Sequence, residues 1–169
     1  LVGSEMCIRD RSAALALSGR SIMCSRVEHE AVSSWCRAKL STNRNGMVDI
    51  DKPEHSALQV ANSETGIIQK SVKGVWLSDM TQAFGKVPLA FNWYGCDCAM
   101  ISAHKIGGPK GIGALILKRG TDLAALITGG GQEMGRRSGT ENVLGIAGFA
   151  AAAEAAQKDL VKGEWEKIS

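Results

Sequence analysis

The apolar positions of this chain fall in short runs separated by polar and glycine-rich stretches. Runs at residues 75–78, 99–102 and 112–117 predict short strands. The first ends at Asp79, and the second stops just before His104 and Lys105. Residues 57–61 alternate loosely and run into Asn62-Ser63-Glu64-Thr65-Gly66, a turn-forming cluster. Residues 47–50 predict one more short strand, after a polar turn at 41–46. Residues 12–17 suit the tail of a helix, and a helical pattern begins at Val27 and continues to about Leu40. A long helix is expected from Glu141 to about Lys158, with Thr140 as its N-cap and Glu141 in its first turn. Strands alternating with helices argue for an α/β fold. In such sheets ligands collect at the carboxyl ends of strands, where Asp79 and Lys105 both fall.

The chain has 169 residues, enough for one domain with a sizeable core. With 44% hydrophobic and 22% charged residues it reads as globular, not disordered. A net charge of +3 without a basic run gives no argument for direct nucleic-acid binding. No apolar stretch has the length of a membrane span, so no membrane partner is expected. Five cysteines and no credible secretory signal point to reduced thiols and a cytoplasmic location. Cys96 and Cys98 form a C-x-C pair without further ligands nearby, so buried thiols are expected there and no metal. Residues 1–11 look like translated adapter sequence and are set apart as non-native; residues 12–169 form the domain.

Three segments carry chemistry. Around Lys105, the glycines Gly107, Gly108, Gly111 and Gly113 would let backbone pass close to a ligand. A lysine held in a desolvated turn there suits Schiff-base formation. Exposed lysines on a glycine-rich turn would look the same. Asp79, closing a strand before Met80-Thr81-Gln82, is either a helix cap or a carboxylate for a ligand's protonated nitrogen. Residues 129–140 combine glycines, Arg136, Arg137, Ser138 and Thr140 ahead of a helix. That arrangement suits either an anion site or a solvated loop.

The motifs EHEAV, ANSETG, DMTQAFGK, SAHKIGGPKGIGAL and GGGQEMGRRSGTENVLGIAG occur in that order. Together they resemble the cysteine desulfurase (NifS/IscS-like) family of class V, fold-type I pyridoxal-phosphate enzymes, from Ser12 to about Ala156. The resemblance implies a three-layer α/β/α domain with a mostly parallel sheet, the large cofactor-binding domain in partial form. It implies pyridoxal 5′-phosphate as cofactor, bound covalently to Lys105, which would also move the substrate's α proton. His29 would stack on the ring and act in proton transfer. Asp79 would pair with the pyridine nitrogen, Gln82 would contact the ring hydroxyl, and Ser63 would hydrogen-bond the cofactor. Ser102 and His104 would bind the phosphate, and Thr140 would reach the phosphate of the partner subunit's cofactor in a homodimer. L-Cysteine would become L-alanine, with the sulfur held as an enzyme persulfide. That sulfur would pass to acceptor or scaffold proteins of iron–sulfur assembly, or to tRNA thiolation.

The chain departs from the family pattern in several places. Ser63 stands where the family has a second asparagine. The stretches from His29 to Asn62 and from Gly66 to Asp79 are shorter than usual. A helix is expected to be missing between Gln69 and Val75, leaving a loop crossover. The family's Gly-x-Thr-Glu phosphate turn would precede residue 12, and its nucleophilic cysteine would follow residue 169. None of Cys7, Cys24, Cys36, Cys96 or Cys98 matches that nucleophile. The expectation is therefore an internal fragment with little desulfurase activity of its own. Other readings are a different class V lyase such as selenocysteine lyase, a non-catalytic scaffold fragment, and a phosphate-binding protein without the cofactor.

Overall fold

The structure, a computed structural model, describes Ala16, Leu17, residues 19–36 and residues 38–167. Residues 1–11 lie outside that range, as does most of the expected helical tail at 12–17, of which Ala16 and Leu17 are helical and buried.

Six strands form. β1 (Met23–Ser25) pairs in parallel with β2 (Ala38–Leu40). β3 (Ala57–Gln59), β4 (Leu77–Asp79), β5 (Cys98–Ser102) and β6 (Gly113–Leu117) make a second sheet in that spatial order. β3–β4 and β4–β5 are parallel, and β5–β6 is antiparallel. A parallel bridge from Met23 to Ser56 sets the β1–β2 pair beside β3. The expected strands at 57–61, 75–78, 99–102 and 112–117 correspond to β3 to β6. No helix lies between Gln69 and Val75, where one was expected to be missing, and a loop makes the crossover from β3 to β4.

Alternation along the strands builds two cores. Ala57, Leu77, Cys98 and Met100 point to one face and pack with Ala16, Leu17 and Val32. Leu58, Ala99 and Ile101 point to the other, where Phe149 packs against them. Val32 belongs to the short helix α1 (Glu30–Ser33), and Phe149 belongs to α3 (Val143–Val161). A four-residue helix, α2 (Phe91–Tyr94), lies between β4 and β5 in sequence. The sheet is thus covered on both faces, giving three layers, and all of β5 is buried.

Three expected elements differ. The helix expected from Val27 to Leu40 is only α1, because the chain must turn back into β2. Residues 47–50 form no strand; Val48 makes a single antiparallel bridge to Thr42. The long helix begins at Val143, not Glu141, and its cap is Asn142, whose side chain accepts the N–H of Gly145 at 3.0 Å. Thr140 does not cap it. Asparagine caps as well as threonine, and it sits closer to the first helical turn.

Candidate active site

Parallel strands deliver their carboxyl ends to one edge, and Asp79, Ser102 and the Lys105 turn lie there. Asp79 is the last residue of β4 and is buried. Its Oδ1 accepts the N–H of Thr81 at 3.0 Å, which fixes the carboxylate at the mouth of a turn. Gln59 is its register partner at the end of β3, and Met100 is its partner in β5. Ser102, two residues beyond Met100, shares that face by alternation and is buried at the end of β5.

His29 is held next to this edge by a lattice of polar contacts. Its Nδ1 accepts the N–H of Ala31 at 3.1 Å, making it the N-cap of α1 and leaving the proton of the neutral ring on Nε2. The residues before it are tied to β3. Glu28 Oε1 accepts the N–H of Gln59 at 2.6 Å, and Gln59 Nε2 donates to the carbonyl of Val27 at 2.7 Å. Asn62 Nδ2 donates to the same carbonyl at 2.9 Å. Gln59 therefore adjoins both Asp79 and the segment leading to His29.

Lys105 lies in a 3₁₀ turn, Ala103–Ile106, directly after β5. The turn closes with Gly107 at φ 79°, a left-handed conformation that suits glycine. Small residues of α3 receive this loop. A Cβ on Gly148 would stand 2.6 Å from Pro109 Cγ. A Cβ on Gly108 would stand 2.9 Å from Ala103 Cβ and 3.1 Å from Ala152 Cβ. Loop and helix thus approach closely, which holds the backbone around Lys105 against a rigid element. His104 and Lys105 are both half-buried.

Gln82 and Lys86 sit on a helical turn after β4, closed by Phe84 N–H to Met80 O at 2.8 Å and Val87 N–H to Ala83 O at 3.1 Å. Lys86 Nζ donates to Gln82 Oε1 at 3.1 Å. Burial, reinforced by the charge of Lys105, lowers the pKa of Lys86. The charge of Lys105 is thus felt one hydrogen bond away from Gln82.

Two expected residues stand apart. Ser63 is exposed, and it is its neighbour Asn62 that is buried, its Oδ1 accepting the N–H groups of Glu64 and Thr65 at 2.9 and 2.8 Å. Thr140 is exposed. Its carbonyl lies 3.4 Å from Nη1 of Arg137, which also donates to the carbonyl of Gly139 at 2.6 Å. Arg137 itself is buried. Sequence reasoning missed Glu28, Gln59, Asn62 and Lys86. Glu28, Asn62 and Lys86 lie inside motifs already singled out, but their partners are distant in sequence or one helical turn away. Nothing in the strand pattern marked Gln59.

A cleft of about 930 Å³ lies elsewhere, between β6, α3 and the loop at 133–137, lined by Leu115, Leu117, Arg136, Ile146 and Phe149. None of the expected cofactor residues lines it. The strand-end cluster brings a buried carboxylate, an imidazole and the Lys105 turn to one sheet edge, so that cluster is the better candidate.

The aminotransferase class-V family model matches residues 7–167. The chain belongs to the class-V aminotransferase family. It is 41% identical over 161 residues to a cysteine desulfurase of Nostoc sp. (strain PCC 7120), covering 80% of this chain and 40% of that protein. It is 35% identical over 192 residues to the cysteine desulfurase IscS of Dictyoglomus turgidum, covering 98% and 48%. Its structure resembles a NifS-like protein from Rickettsia africae with a TM-score of 0.81 at 30% identity, covering 91% of this chain and 51% of that one. The chain therefore spans less than half the length of these two curated relatives. Class-V aminotransferases are fold-type I pyridoxal-phosphate proteins, and the layered, mostly parallel sheet agrees with that fold.

The donor set fits such a cofactor on its ring side. A buried carboxylate, a half-buried lysine and an imidazole with its proton on Nε2 all lie at one sheet edge. Ser102 and the polar turn after it supply hydroxyl, imidazole and amide donors for a phosphate.

Proposed function

We propose that this chain is the cofactor-binding part of a pyridoxal-phosphate-dependent cysteine desulfurase, which converts L-cysteine to L-alanine and a protein-bound persulfide. The observation that carries the reading is the convergence of Asp79 and the Lys105 turn at the carboxyl ends of the adjacent parallel strands β4 and β5. When bound, the cofactor supplies an electron sink for the substrate's α carbon. Asp79 keeps a proton on the ring nitrogen by a charge-assisted bond, its orientation set by Thr81. Lys105 would hold the cofactor covalently and would also serve as the base that moves the substrate's α proton. His29 presents Nε2–H to the cleft because Nδ1 is engaged by Ala31. Gln82 contacts the ring hydroxyl, and Ser102 and His104 bind phosphate. Ser63 reaches the ring side only if the 62–66 turn moves inward, since it faces solvent.

Thr140 serves the cofactor of a second subunit. Its exposure supports that reading. So does the exposed apolar surface near it in sequence, Leu126, Met134, Val143 and Leu144. The site thus works as a cytoplasmic homodimer that hands sulfur to acceptor or scaffold proteins of iron–sulfur assembly or tRNA thiolation.

Three of the four described cysteines are unsuited to accept sulfur, and the fourth, the half-buried Cys36, donates its thiol to the carbonyl of Val32 at 3.4 Å. Cys24, Cys96 and Cys98 are buried, and burial pushes the thiols of Cys96 and Cys98 up to about 12. Thiols held protonated are poor nucleophiles. Little release of sulfide or alanine from L-cysteine is therefore expected of this chain alone.

The direct test is borohydride reduction of the purified chain loaded with pyridoxal phosphate, followed by peptide mapping. The expected adduct is on Lys105 and is lost in Lys105→Ala. An adduct on Lys86, or none at all, overturns the reading.

A further inference from the structure

Lys86 has no role in the reading above, yet it is hydrogen-bonded to Gln82, which has one, and it feels the charge of Lys105. Its ammonium donates to Gln82 Oε1 at 3.1 Å. An ammonium has donors only, so it selects the oxygen end of the carboxamide. The –NH₂ end of Gln82 is then the end available to a ligand. The backbone enforces this arrangement. Gly85, at φ 74°, brings the turn so close to its neighbours that a Cβ there would lie 2.7 Å from Ala156 Cβ and 3.3 Å from Ile106 Cγ2. Ile106 adjoins Lys105, so the same approach sets Lys86 against the Lys105 turn. On the other side, Trp165 Nε1 donates to Gly85 O at 2.9 Å and pins the turn to the end of the chain.

We infer that Lys86 is a positioning residue that locks the Gln82 carboxamide with its –NH₂ end toward the cofactor's ring oxygen. The inference rests on the proposed cofactor site and deepens it. A carboxamide free to rotate would offer its oxygen half the time, against an oxygen of the ring. A locked one always offers a donor. The charge of Lys105 falls on Lys86 as well, and burial lowers its pKa in the same direction. A hydrogen bond to Gln82 that uses one donor keeps this ammonium in place despite the like charge beside it.

The test is a double-mutant cycle read as pyridoxal-phosphate affinity, by absorption titration of the purified chain. Lys86→Met is expected to weaken binding about 10-fold, the value of one hydrogen bond of ordinary strength. Lys86→Arg, which keeps donor and charge, is expected to restore most of it. In a Gln82→Leu background, Lys86→Met is expected to change affinity by less than about twofold. An analogue lacking the ring hydroxyl is expected to bind wild type and Lys86→Met alike. Thermal melts of each variant identify any that fail to fold, and Lys86→Arg then decides the question alone. A 10-fold loss that persists in Gln82→Leu, or that falls equally on the analogue, overturns the inference and leaves the site reading intact. Failure of wild type to form an adduct on Lys105 overturns both.

Discussion

Gln59 and Asp79 are register partners at the carboxyl ends of β3 and β4, and the Gln59 side chain holds the carbonyl of Val27 two residues before His29. One buried amide thus links the strand that ends in the carboxylate to the segment that carries the imidazole. Gln59→Leu removes that link while Asn62 still serves Val27. The expected cost is about 1 kcal/mol in urea denaturation, with a fall in cofactor affinity larger than the loss of stability alone gives.

Asp79→Asn separates charge from shape. Asparagine keeps an oxygen for the N–H of Thr81, so the melting temperature is expected to change little. The charge-assisted partner of the ring nitrogen is gone, worth about 2–3 kcal/mol. Cofactor affinity, read by absorption titration, is expected to fall by about two orders of magnitude. Unchanged affinity removes Asp79 from the site.

The contact between α3 and the Lys105 loop predicts a helix substitution that goes against propensity. Gly148→Ala gains about 1 kcal/mol of helix propensity. Its Cβ, however, would stand 2.6 Å from the rigid ring of Pro109. Overpacking of that kind costs about 1–3 kcal/mol. A net loss near 1 kcal/mol is expected, with weaker adduct formation at Lys105, checked by chemical denaturation and borohydride trapping. A stabilised variant with full trapping shows that the loop is not held from this side.

Alkaline pH tests the core. Burial raises Tyr94 from 10.0 to about 12, and raises Cys96 and Cys98 from 9.0 to about 12. Above pH 9 the unfolded chain releases these protons while the folded chain keeps them, so the unfolded state binds fewer protons and stability falls. Their contribution is complete below pH 9 and lost as pH climbs toward 12. Melting temperatures are expected to drop steeply over that interval. Cys96→Ala and Cys98→Ala are expected to flatten the drop, and an unchanged slope in the double variant counts against these thiols as its source.

Much of this arrangement was legible in the chain. The apolar runs ending at Asp79 and ahead of His104-Lys105 located β4, β5 and the site edge, because parallel strands end where ligands gather. The helix expected from Val27 to Leu40 failed because its apolar residues serve β2 and a one-turn cap, and tertiary pairing overrode periodicity. Thr140 was a plausible cap on type alone, but Asn142 lay nearer the first turn. The polar lattice of Glu28, Gln59 and Asn62 was invisible because its partners are 31 to 35 residues apart. Lys86 closes the motif DMTQAFGK, but nothing in the sequence assigned it a task; its hydrogen bond to Gln82 and the charge of Lys105 upon it set it apart.

The indole of Trp165 donates to the Gly85 carbonyl, on the turn that bears Gln82 and Lys86. A pyridoxal ring absorbs light at wavelengths where tryptophan emits. The chain therefore carries a built-in optical gauge: filling the strand-end site should dim Trp165 among the chain's four tryptophans, and replacing it with phenylalanine should weaken that response while it frees the Gly85 carbonyl.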